Sequence, residues 1–234
     1  MLTFGEKMTK HVGDNKKIIT LMLASAAVLV MYLPELFDLL RPLFSGIADG
    51  GLSYFFVFIL KLAVYIAGFA AIAVSAKKYA GLSLFGRKAD KLSPKYAVLI
   101  FVLTFAAVFF SCRAIDFDLA VVAEVGTSAT LVKAANTLSF KYLPFLCRAL
   151  LSVMAAALFQ EFFEGLFPNK KLSYVPFGGL IVFATCGVAE LFISAELLLI
   201  WFYWVFFLFY GLVYTLSGKR FLPTLIIALI VVLF

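Results

Sequence analysis

Residues 52–76 read LSYFFVFILKLAVYIAGFAAIAVSA, an apolar run with one charged side chain, Lys61, closed by Lys77 and Lys78. The hydrocarbon core of a bilayer takes roughly 20 apolar residues of helix, and this run meets that length. It is continuously apolar, without the period-two alternation of a barrel strand, so it predicts a membrane-spanning helix. Working outward, runs of the same kind occupy 18–33, 96–112, 141–160, 174–193, 198–216 and 221–234. The last is short for a full crossing and is expected to tilt or to pack against its neighbours. With 65% hydrophobic, 17% aromatic and 14% charged residues, the chain has too few charges to clothe a water-soluble domain. Its mean hydropathy of +1.09 agrees. The expected fold is all-α: a polytopic transmembrane helical bundle of about seven spans, forming a single integral membrane domain over 1–234.

The basic residues set an orientation. Lys7, Lys10, Lys16 and Lys17 precede the first span; Lys77, Lys78, Arg87, Lys88, Lys91 and Lys95 flank or fill the second connector. Lys170 with Lys171 and Lys219 with Arg220 occupy the fourth and sixth connectors. The alternate connectors hold Arg41, Arg113, Lys133 and Lys141 beside the acids Glu35, Asp38, Asp49, Asp116, Asp118, Glu124 and Glu196. Basic residues collect on the cytoplasmic side of short loops, so the N-terminus, with its tail 1–17, is predicted to be cytoplasmic. The net charge of +7 is then accounted for by a face near anionic headgroups, and no nucleic-acid partner is implied. The first span ends in Leu33-Pro34-Glu35 without a small-x-small cleavage site, as a retained signal anchor would. Residues 113–140 form the longest connector; within it 117–135 is apolar enough for a re-entrant segment or an ordered outer loop.

Charged or amide side chains inside spans are costly in lipid and are therefore candidates for function. Lys61 and Arg148 are candidate binding residues, each expected to find a partner across helices or to line a path. Glu190 near the outer end of the fifth span and Gln160 at the end of the fourth are further binding candidates. Glu161 and Glu164 share a helix face three residues apart and are the catalytic candidates; with Glu190 they are the acids that remain for acid–base work. The sole histidine, His11, lies in the polar N-terminal region, so no metal site and no cofactor are expected. No HExxH, GxSxG, P-loop or GxGxxG motif occurs. Cys112, Cys147 and Cys186 read as thiols, with a Cys112–Cys147 bridge as the alternative. Gly178, Gly179, Ala184 and Gly187 are spaced for close helix contact. Phe-rich faces such as Phe206, Phe207 and Phe209 are expected to face lipid.

The C-terminal half, 141–234, resembles the CPBP membrane family (CAAX proteases and bacteriocin-processing or Abi proteins). Three passages carry the resemblance: FQEFFEGLF at 159–167, GLIVFATCG at 179–187, and FLFYGLVYTLSGKRFLPTLIIALIVV at 207–232. The family has a Glu-Glu pair, three residues and Arg-Gly in the first passage; Gln160-Glu161 stand for the pair if one residue is deleted before Gly165, whereas anchored on Gly165, Gln160 falls at the second Glu and Glu164 at the Arg. Gly187 stands where the family has its first His, and Ile227 and Val231 where it has a final His and Asn. The resemblance implies a water-activating Glu/His site of which this chain retains only Glu161, hence a catalytically silent relative in a bacterial cytoplasmic (inner) membrane. The expected function is binding, with the bilayer itself and a partner membrane protein, a peptide or a lipid as partners. The alternatives are a glutamate-dependent intramembrane protease of the CAAX type and a small transporter or subunit of a membrane transport or assembly complex.

Overall fold

A computed structural model describes residues 4–40, 50–85, 93–114, 143–167, 172–193 and 197–233. The segment 117–135, the connector residues Arg87, Lys88, Lys91, Lys170 and Lys171, the surroundings of Gly187, and the side chains of Glu190 and Cys112 lie outside the described residues. Among the described residues every regular element is a helix. The α-helices are α1 (Phe4–Tyr32), α2 (Gly50–Ser75), α3 (Pro94–Ala114), α4 (Leu143–Leu166), α5 (Phe177–Ile193), α6 (Leu197–Leu216) and α7 (Phe221–Leu233). One falls on each apolar run of the sequence. Asn15–Tyr32, Val57–Ala80 and Leu146–Leu166 are long and apolar enough to cross a bilayer, which marks the chain as a membrane protein.

Local chemistry sets the helix ends. Pro94 opens α3 at the first helical position, where the missing N–H costs no hydrogen bond. A wider-wound turn, Ala76–Ala80, ends α2, and Gly81 closes it in the left-handed region (φ 70°), with the Leu82 N–H donating to the Ala76 carbonyl at 3.0 Å. The end of α6 is a Schellman turn. The Lys219 N–H donates to the Tyr214 carbonyl (2.8 Å) and the Gly218 N–H to that of Thr215 (3.2 Å), with Gly218 left-handed at φ 72°. Buried Ser217 and Thr224 then share a hydroxyl–hydroxyl bond of 3.3 Å, fixing how α7 leaves the turn.

Helix α4 is the axis of the bundle. Leu151 through Gln160 are buried without interruption, as expected of a helix surrounded on all sides. Its most extensive contacts are with α1 and α5, and α6 and α7 also pack on it. Small residues set the closeness: a Cβ at Gly178 of α5 would overlap the Ala156 carbonyl of α4, and one at Gly179 would lie 2.8 Å from the Gly211 Cα of α6. Gly178 and Gly179 thus do the packing expected of them, whereas Ala184 is exposed. Phe206, Phe207 and Phe209 correct an expectation: they are 7%, 6% and 8% exposed and belong to the core, because α6 turns this face to the bundle. No disulfide joins Cys147 or Cys186, which are thiols.

Candidate functional site

Several of the basic residues counted for orientation meet at one end of the bundle. The Lys17 stem runs past Gly165 at the end of α4, 3.5 Å from where a Cβ would stand, and Lys16 Nζ approaches Gly81 at the end of α2 within 4.0 Å of such a position. Lys219, in the α6–α7 turn, pairs with Glu164 of α4. Lys219 has φ 64°, a conformation that costs a non-glycine residue roughly 1–2 kcal/mol, and the ion pair with Glu164 lies at that strained point.

Gln160 is the centre of this end. It is 1% exposed, and each polar atom of its amide is used. Nε2 donates to Glu164 Oε1 (2.9 Å) and to the Val175 carbonyl (3.1 Å); Oε1 accepts from the Gly178 N–H (3.1 Å). That N–H belongs to the first turn of α5, where helical donors have no intrahelical partner, so Gln160 supplies the missing acceptor. The short helical turn Leu172–Tyr174 folds back to bring Val175 over Gln160. A continuous hydrogen-bonded chain therefore runs from Val175 through Gln160 and Glu164 to Lys219.

Glu161 turns elsewhere. Its Oε1 accepts from the Tyr214 hydroxyl of α6 at 3.4 Å, and it lines a cleft of about 280 Å³ with Gly81, Leu82, Ser83, Leu84, Tyr214 and Lys219. Ser83, Tyr214 and Lys219 are polar groups of this cleft that sequence reasoning does not single out. Lys219 and the hydrophilic turn Gly81-Leu82-Ser83 read only as connector residues.

The other sequence candidates lie away from this end. Arg148 precedes Glu161 by thirteen residues, about 20 Å along a helix rising 1.5 Å per residue, so it does not converge with the two glutamates. Its guanidinium sits over the Tyr32 ring of α1, 5.2 Å from the centroid, a cation–π partner across helices. The Tyr32 hydroxyl in turn donates to the Cys186 carbonyl of α5 at 3.2 Å. Lys61 is half-buried on α2, one turn before Tyr65, whose hydroxyl reaches the Met31 carbonyl at 3.5 Å. Among the described residues, no group of three or more His, Cys, Asp or Glu side chains is placed to hold a metal ion. No protein-family profile, curated protein or solved structure matches this chain.

Proposed function

We propose that this chain is a non-catalytic, CPBP-like integral membrane protein that works by binding, through the cleft at its basic end. One observation carries the reading. The position that the Gly165 anchor sets at the family's second Glu is consumed by structure: Gln160 uses its whole amide to join α4, the Val175 turn and α5, and Glu164, which falls at the family's Arg, is held by Gln160 and Lys219. A general base must present a carboxylate oxygen to a water beside the scissile bond. Glu161, which accepts from the Tyr214 hydroxyl, is the carboxylate that lines the cleft, and among the described residues no imidazole lines it.

In this reading all seven helices cross a bacterial cytoplasmic membrane, with the basic end inside. The clustering of Lys16, Lys17, Lys77, Lys78, Lys219 and Arg220 supports the side. Tyr79 and Tyr174, 55% and 65% exposed near this end, suit the water–lipid boundary, where amphipathic rings collect. Lys78 Nζ lies 5.1 Å over the Tyr79 ring, which keeps its charge at that level. Transport has less support, because Arg148 is engaged by Tyr32 and neither Arg148 nor Lys61 lines the cleft.

The test is a cleavage assay. Purified protein incubated with a prenylated or signal-like peptide should leave it intact over hours. Cleavage that disappears in Glu161→Ala would overturn the proposal and establish the protease.

A further inference from the structure

We draw no further inference here: the strongest candidate, the lysine corner where Lys16 of α1 stands beside Lys77 and Lys78 in the turn that ends α2, belongs to the basic face near anionic headgroups already described, and nothing in the structure there selects one ligand.

Discussion

Replacing Gln160 with glutamate changes one nitrogen to oxygen at a site where the CPBP resemblance would place a carboxylate, and the structure predicts that the change is harmful. The carboxylate still accepts from the Gly178 N–H, but two donations vanish. The bond to the neutral Val175 carbonyl is worth about 1 kcal/mol and the bond to charged Glu164 about 1.5–3 kcal/mol, giving a loss of about 3 kcal/mol for Gln160→Glu. The introduced carboxyl faces the Val175 carbonyl and Glu164, and the nearby cation, Lys219, is engaged by Glu164. Unfolding of the purified variant by increasing SDS in mixed micelles, followed by intrinsic fluorescence, reads the loss. Gln160→Leu is the control: it loses all three bonds with no charge added, so its penalty should be comparable. A Gln160→Glu variant within about 0.5 kcal/mol of wild type would refute the account of this amide.

Three further outcomes follow from the same geometry. Glu164→Gln and Lys219→Met should be non-additive in a double-mutant cycle by about 1 kcal/mol, since both side chains are 19% exposed and their pairing is only partly screened; additive losses would show the pair idle. Gly211→Ala should cost about 1–3 kcal/mol in the SDS assay by forcing α5 and α6 apart, whereas Gly218→Ala, with open space around it, should cost only the roughly 1 kcal/mol of its left-handed backbone. Single cysteines placed at Lys78 and at Lys219 in a chain with Cys112, Cys147 and Cys186 replaced by serine should react with an impermeant maleimide from the cytoplasmic side alone, and labelling from the outside would reverse the orientation.

The helices were legible in the sequence because lipid demands length and apolarity, and those are written locally. Each of the runs expected from composition coincides with one of the helices. The facing of each helix was not legible, and Phe206, Phe207 and Phe209 show why. In water, burial separates apolar from polar side chains; in a bilayer both the core and the lipid are apolar, so a Phe-rich stripe carries no sign of which it meets. The useful mark on α6 was its glycine. Gly211 sits among bulky residues at mid-helix, and only contact with the Gly179 backbone explains a residue without a side chain there.

The candidate site was half legible for a related reason. Gln160, Glu161 and Glu164 stood out because polar groups at a span end are countable from sequence, yet their roles depend on partners far along the chain. Val175, Gly178, Tyr214 and Lys219 reach them only through the fold. Counting residue types makes Gln160 and Glu161 look like a weakened catalytic pair. The structure separates them by a single helical step: one points into the core, where an amide can be satisfied at both of its ends and a carboxylate cannot, and the other points into a cleft between helix ends. The position where the Gly165 anchor would set the second glutamate of the CPBP pattern is therefore one whose nitrogen donates to both Glu164 and Val175, and a carboxylate there would lose both bonds.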